Sequence, residues 1–226
     1  PELNFLGQTG KFHSLWGEIG GFKNPTALKY EVAHMISLGS KCMVGDQLDP
    51  RGKMNNDTYK MIGEAYEYVE QREPWLEDTT MVADVAILSA TALHGDNDYI
   101  SSDMGASSML MQKQILFTII DQHMDFSQYR LLILPDEILV DQTLKSKLED
   151  FIKQGGALIL TNNSGLNWKK DLFAIDCGLE YTGNSSNDVE YIEAHQLSEY
   201  GLVKSPFLVY ESGITSRVLD AKTLAN

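Results

Sequence analysis

The chain reads as an α/β protein whose main sheet is parallel and covered by helices on both faces. Two features of its 226 residues predict this. Short apolar runs at Met81–Ser89, Tyr129–Pro135 and Ala157–Thr161 alternate with helical stretches, so residues 81 to 161 form a β-α-β-α-β pattern. Short, mainly apolar runs of that kind belong to strands buried on both sides. The first third repeats the alternation on a smaller scale.

Taken in order, Asn24-Pro25 starts a helix, with a capping side chain followed by proline at the first helical position. Leu28, Val32, Met35 and Ile36 recur at helical spacing and Gly39 closes the segment. Lys41–Gly45 is predicted as a strand that runs into a polar turn, Asp46–Gly52. A second helix is expected over roughly Asp57–Arg72, with Tyr59, Ile62, Tyr66 and Val69 on one face and Pro74 as its stop. Glu73–Asp78 reads as the junction, giving domains of 1–76 and 77–226. Beyond it, Gly105–Met124 is predicted helical. Leu144, Leu148, Phe151 and Ile152 form a stripe between Asp141 as cap and Gly155 as stop. Gly183–Asp188 reads as a turn-rich loop, and Val189–Leu197 and Phe207–Glu211 as strands. The last residues, Ala221–Asn226, close no element, which implies truncation of the second domain.

Composition narrows the function. Hydrophobic residues make up 43% and charged residues 22%, ordinary for a globular chain with a real core. With 32 acidic against 18 basic residues the net charge is −14, which argues against nucleic acid as a partner. No apolar run reaches the roughly 20 residues that cross a bilayer, so no membrane role is expected. Cys42 and Cys177 lie far apart and form no Cys-x-x-Cys pair; both read as buried apolar side chains, and neither a metal nor a cofactor is expected. The N-terminus shows neither an initiator Met nor a secretory signal. It reads as a boundary within a longer protein and leaves the compartment, cytoplasmic or periplasmic, open.

Chemistry is sparse at the expected strand tips. Thr161–Gly165 holds no cysteine, and Ser164 lacks the Gly-x-Ser-x-Gly frame of an activated nucleophile. Ser89–Asp96 has small and hydroxyl residues but no phosphate-binding glycine pattern, and reads as a solvated loop. His94, His123 and His195 show no metal-ligand spacing, and His123 is expected at a helix end, on the last carbonyls. Phe12–Lys23 is richer. His13, Trp16 and Glu18 precede a pair of glycines, and an aromatic face beside a carboxylate suits sugar recognition. The plainer alternative is a glycine-rich loop around a buried Trp16. Asp46 ends the strand from Lys41, where working residues project in a β/α barrel.

Trp16-Gly17-Glu18-Ile19-Gly20-Gly21, Asn24–Leu28, Gly45–Pro50 and Glu73-Pro74-Trp75 together resemble the tail of a glycoside hydrolase barrel, that of the family-forty-two β-galactosidases and the related α-L-fucosidase-like hydrolases. Residues 81–226, most tellingly Leu131–Pro135 and Phe151–Ile159, resemble the module that follows the barrel there, the flavodoxin-like (class I glutamine amidotransferase-like) three-layer β-galactosidase trimerisation domain. The resemblance implies the last βα units of a TIM-type barrel ahead of that module. It implies Glu18 as nucleophile and His13, Trp16 and Asp46 as substrate contacts. It further implies a terminal galactoside or fucoside as the carbohydrate substrate, no cofactor, and a homo-oligomer, a trimer by the module's description.

A complete barrel takes about 250 residues, and only about 75 precede the junction. The strand expected to carry the acid/base is absent, and retaining hydrolysis needs two carboxyl groups about 5–5.5 Å apart. The chain by itself is therefore expected to be inactive, a fragment whose α/β module serves protomer assembly and walls the active site. The rival reading is a free-standing α/β binding or assembly protein.

Overall fold

The computed structural model describes residues 5–95, 97–98 and 100–225. They fall into two compact units, Pro1–Met81 and Val82–Asn226.

In the first unit β1 (Leu6–Gly10) and β2 (Lys41–Gly45) pair in parallel, so Gly10 and Gly45 sit side by side at their C-terminal tips. The glycine-rich sequence of β1 hid it from periodicity, yet its glycine has a reason. A Cβ on Gly7 would lie 2.8 Å from Met35 Sδ of the covering helix, and the Gly7 N–H donates to Ser40 Oγ at 2.8 Å. That helix, α1 (Pro25–Ser37), starts as expected, with the Thr26 N–H donating to Asn24 Oδ1 at 2.8 Å.

Helix α2 (Asn56–Glu70) is capped by Asn55, which accepts from the Asp57 and Thr58 N–H groups. Its buried face matches the expected one at Val69 and, in part, at Ile62, but Thr58, Met61 and Ala65 turn inward with them while Tyr59 and Tyr66 are exposed. Small residues at 58 and 65 let α1 approach closely, which the tyrosines would prevent. Leu28 and Val32 complete this core with Met61, Ala65 and Val69. Cys42 is half-buried at its margin rather than fully enclosed, and so is Cys177 in the second unit.

The second unit holds a parallel sheet of four strands rather than the three expected. These are β3 (Val85–Leu88), β4 (Phe117–Ile120), β5 (Leu131–Leu134) and β6 (Ala157–Leu160), in the order β4-β3-β5-β6. The expected helix over Gly105–Met124 ends early. Helices α3 (Ala90–His94) and α4 (Ile100–Gln112) precede a break at Gln114, whose φ is +56°. The end of the apolar run, Phe117–Ile120, then enters the sheet, where its β-branched residues suit a pleated, half-buried surface. His123 consequently lies in a turn after β4, not at a helix end; its N–H donates to Asp121 Oδ1 at 2.7 Å.

Helix α5 (Gln142–Lys153) matches its prediction, with the Leu144 N–H donating to Asp141 Oδ1 at 2.7 Å and Gly155 at φ +95° past its end. Leu144, Leu148 and Phe151 of α5 pack with Leu88, Leu132 and Leu134 on one side of the sheet. Ala106 and Leu110 of α4 pack with Ile87, Phe117 and Ile133 on the other. Each such fully buried Leu is worth about 1.5–3 kcal/mol in transfer terms, so the two clusters fix the sheet between its helices.

Downstream, β7 (Leu179–Asn184) pairs antiparallel with β10 (Ile214–Val218), and β8 (Glu190–Ile192) with β9 (Phe207–Val209). Gly183 and Asn184, read as loop, belong to β7. The strand expected over Val189–Leu197 stops at Ile192, and His195–Tyr200 is a 3₁₀ turn.

Candidate active-site loop and strand tips

The loop Phe12–Lys23 folds over the tips of β1 and β2, and one residue organises it. Lys11 follows the last residue of β1 and is only 3% exposed. Its backbone extends the strand pairing by one step, with the Lys11 N–H donating to the Gly45 carbonyl at 3.0 Å and its carbonyl accepting from the Lys23 N–H at 2.8 Å. Its ammonium donates to the Gly21 carbonyl at 3.2 Å and the Glu18 carbonyl at 3.5 Å. The same Nζ lies 3.8 Å from Asp46 Oδ1 and within about 5 Å of two ring centroids, Phe12 at 5.0 Å and Phe22 at 5.3 Å. A buried ammonium needs compensation on every side, and carbonyls, carboxylate and aromatic faces supply it.

The four residues singled out from sequence lie around this ammonium or on the loop it holds. Trp16 rests across the strand tips, edge-to-face with Phe12 at a centroid distance of 5.0 Å. A Cβ on Gly45 would collide with its ring and one on Gly10 would lie 3.3 Å from Cζ3, so the paired glycines make the seat for the indole. Trp16 nevertheless stays 66% exposed, which overturns the buried-Trp alternative and leaves a broad aromatic face to solvent.

Glu18 Oε1 accepts from the Ser14 N–H at 2.7 Å. That bond chiefly holds its carboxyl below the ordinary glutamate range against an opposing effect of desolvation, with lesser help from the His13 and Leu15 backbone and the His13 side chain. A Cβ on Gly21 would collide with the Glu18 carboxyl group, which explains that glycine without appeal to backbone freedom. His13 is exposed on the same loop. Asp46 is largely covered, its side chain 12% exposed, and accepts from the Gln47 N–H at 2.8 Å besides meeting Lys11.

Asp46 and Lys11 also line a small cavity with Asn55 and Thr58. The Thr58 hydroxyl is buried there without a hydrogen-bond partner among the described residues. A larger cavity, about 1020 Å³, lies at the other end of β2, lined by Cys42 and Tyr66 with Glu67, Glu70, Glu73, Glu77 and Asp78. Its ring of carboxylates suits no anionic ligand, and none of the loop's aromatic residues reaches it. Lys11 itself escaped sequence reading. Its signal was slight: a lysine set between a strand-ending glycine and a phenylalanine.

In the second unit the tip of β3 is closed from within. Asp103 of α4 is buried and accepts from Ser89 Oγ at 2.7 Å, the Ala90 N–H at 2.9 Å and the Thr91 N–H at 3.3 Å. The segment read as a solvated loop is thus capped helix α3; Asp96 lies outside the described residues. Ser164 is fully buried and accepts from the Ile138 N–H at 3.0 Å, a structural role rather than a nucleophile's. Glu137 is held by Asn163 Nδ2 at 2.8 Å and Lys170 Nζ at 3.1 Å, tying the loops after β5 and β6 together. Among the described residues no group of three or more His, Cys, Asp or Glu is placed to hold a metal ion, and no helix is long and apolar enough to cross a membrane.

Residues 108–179 match the family described as the β-galactosidase trimerisation domain. The α-L-fucosidase isoenzyme 2 from Paenibacillus thiaminolyticus is 36% identical with a TM-score of 0.87, covering 98% of this chain and 34% of that one. The β-galactosidase from Bacillus circulans sp. alkalophilus is 18% identical with a TM-score of 0.72, covering 98% and 38%. That from Rahnella sp. R3 is 17% identical with a TM-score of 0.71, covering 93% and 36%. No curated protein sequence matches. The chain spans about a third of the length of each of these structures. In sequence and fold it resembles a C-terminal part of a glycoside hydrolase of the β-galactosidase and α-L-fucosidase kind, with a trimerisation-type module.

Proposed function

We propose that the chain forms the last βα units of a TIM-type glycosidase barrel (residues 1–76) followed by a flavodoxin-like module (77–226) that joins protomers and walls the active site. The β4-β3-β5-β6 order supports the second part, since a 2-1-3-4 order with helices on both sides is that of flavodoxin-like sheets. The first part is supported by the state of β1 and β2. Among the described residues they pair only with each other, and Leu6 and Met43 stay exposed on the face away from the helices. Parallel strands are normally covered on both faces and seldom come as a pair.

The observation that carries the reading is the loop over the strand tips. In a β/α barrel the C-terminal tips are where catalysis is housed. Here they carry an exposed indole face and an ionised Glu18 carboxylate on a loop whose carbonyls hold one buried ammonium, with the Asp46 carboxylate beside that ammonium. Apolar sugar faces stack on such an indole, and hydroxyl groups bond to such acids. Glu18 is the nucleophile of the complete enzyme, kept ionised by the Ser14 N–H, while His13, Trp16 and Asp46 contact the sugar. The acid/base comes from a part of the barrel outside these residues. A terminal fucoside is the favoured substrate over a galactoside, because the sequence identity is 36% to the fucosidase and 18% to the β-galactosidase of Bacillus circulans sp. alkalophilus. The assembly is a homo-oligomer, a trimer by the description of the matched domain.

The test is turnover of aryl α-L-fucoside and aryl β-galactoside by the longer enzyme that carries this chain. Glu18→Gln is expected to lower kcat at least about 1000-fold with the fold intact. Trp16→Ala is expected mainly to raise KM. Wild-type rates in Glu18→Gln would remove the nucleophile assignment, and absence of any glycoside turnover would remove the hydrolase reading.

A further inference from the structure

Two polar groups of the first unit fall short of a partner in the same place. Thr58, in the first turn of α2, is 1% exposed, and its hydroxyl has no hydrogen-bond partner among the described residues. Buried hydroxyl groups nearly always find one, in the protein or in ordered water, because going without is costly. Lys11 Nζ has three protons and meets the Gly21 and Glu18 carbonyls with two of them. Its approach to Asp46 Oδ1, at 3.8 Å, is too long for a hydrogen bond, although both side chains are largely covered.

Both shortfalls face one cavity. Lys11, Asp46, Asn55 and Thr58 line a space of about 20 Å³ between Gly20 of the loop and the start of α2. One water needs about 10–15 Å³ measured in this way, so the space admits a single molecule and excludes a sugar or a hydrated ion. Charge narrows the occupant further. The Lys11 ammonium repels a bare cation and the Asp46 carboxylate repels an anion, which leaves a small neutral molecule. Its partners must number about three, the usual complement of a buried water. Here an ammonium donates, a carboxylate accepts and a hydroxyl does either, a set that one water satisfies at once. Opposite charges held just beyond direct bonding distance are also where a bridging water belongs.

We propose that this cavity is a binding site for one water, which accepts from Lys11 Nζ, donates to Asp46 Oδ1 and shares a hydrogen bond with Thr58 Oγ1. Through that water Thr58 is a positioning residue: it ties α2 to Asp46 and to the ammonium that anchors residues 12–23. The water site stands on geometry; its bearing on substrate rests on the reading of Asp46 as a sugar contact.

Crystals of the longer enzyme that carries this chain, at a resolution that places waters, test the site directly. The wild type is expected to show one ordered water about 2.7–3.2 Å from all three atoms, and Thr58→Val to lose it. Hydrogen exchange on the same proteins gives a difference of sign. A partnerless hydroxyl is better replaced by a methyl group, so protection of residues 12–23 would hold or rise in Thr58→Val. A hydroxyl that ligates water is missed, and protection factors there are expected to fall about 5-fold, with Thr58→Ser restoring them. In turnover of an aryl glycoside, Thr58→Val is expected to raise KM about 5-fold with a smaller effect on kcat. No water at these atoms in the wild type, or undiminished protection in Thr58→Val, overturns the proposal; should the valine variant lose its fold, the wild-type crystal decides. An unaltered KM overturns the positioning role of Thr58. The water in place without any glycoside turnover upholds the site and removes the hydrolase reading instead.

Discussion

Replacing Lys11 by methionine removes one charge from the centre of the candidate site and keeps nearly the same volume. The ammonium makes a hydrogen bond to the Gly21 carbonyl at 3.2 Å, a longer one to the Glu18 carbonyl at 3.5 Å, and a 3.8 Å contact with Asp46. Hydrogen bonds to a charged group are worth about 1.5–3 kcal/mol each when well made, and only the first has that geometry. Two ring contacts near 5 Å add about 0.5–1 kcal/mol apiece. Against these stands relief of the desolvation of the ammonium, which recovers part of the loss, while Asp46 is left covered and unpaired. The balance is a loss of about 2–3 kcal/mol. Urea unfolding followed by circular dichroism measures it, and hydrogen exchange over residues 12–23 localises it, because those backbone groups lose their anchor. A change below about 0.5 kcal/mol with unaltered exchange in the loop would refute the role given to Lys11.

Three other outcomes follow from the same geometry. Asp103→Ala removes the acceptor of three hydrogen bonds at the start of α3 and is expected to cost about 2–4 kcal/mol in urea unfolding, with Asp103→Asn recovering part of it. Because the Glu18 carboxyl is depressed in the folded chain, its contribution is present above the ordinary glutamate value of about 4.3 and fades as pH falls through the lower folded value. Protection factors in residues 12–23, exchange rates corrected for the intrinsic pH dependence, should therefore fall on acidification below about pH 4, and Glu18→Gln should flatten that dependence. Gly45→Ala forces the indole of Trp16 off its seat, giving a changed near-ultraviolet spectrum with less than about 1 kcal/mol lost, since an exposed ring can swing into solvent.

Legibility in the sequence tracked how much of each element's reason for existing is local. Helix α5 was readable from end to end because cap, apolar stripe and stop are all in its own residues. Strand β4 was not, since Ile115–Ile120 continues the apolar character of α4, and the break is a left-handed Gln114 that no composition signals. Strands β7 and β10 were invisible for another reason: their residues are shallowly buried and mixed in polarity, and only their mutual pairing makes them strands. The aromatic and acidic residues of the Phe12–Lys23 loop could be picked out by type. Their common anchor could not, because a lysine's burial depends on carbonyls and rings that the fold alone brings together.

Asp103 has a consequence for how the second unit behaves as a body. The acid sits on the inner side of α4, next in sequence to the outward Met104, and grips Ser89 and the start of α3 fourteen residues earlier. A shift of α4 along its axis would loosen that grip and free the first amides of α3. The two helices and the end of β3 are therefore tied by a carboxylate the polypeptide itself carries, at the kind of strand tip where other sheets of this order bind a phosphate.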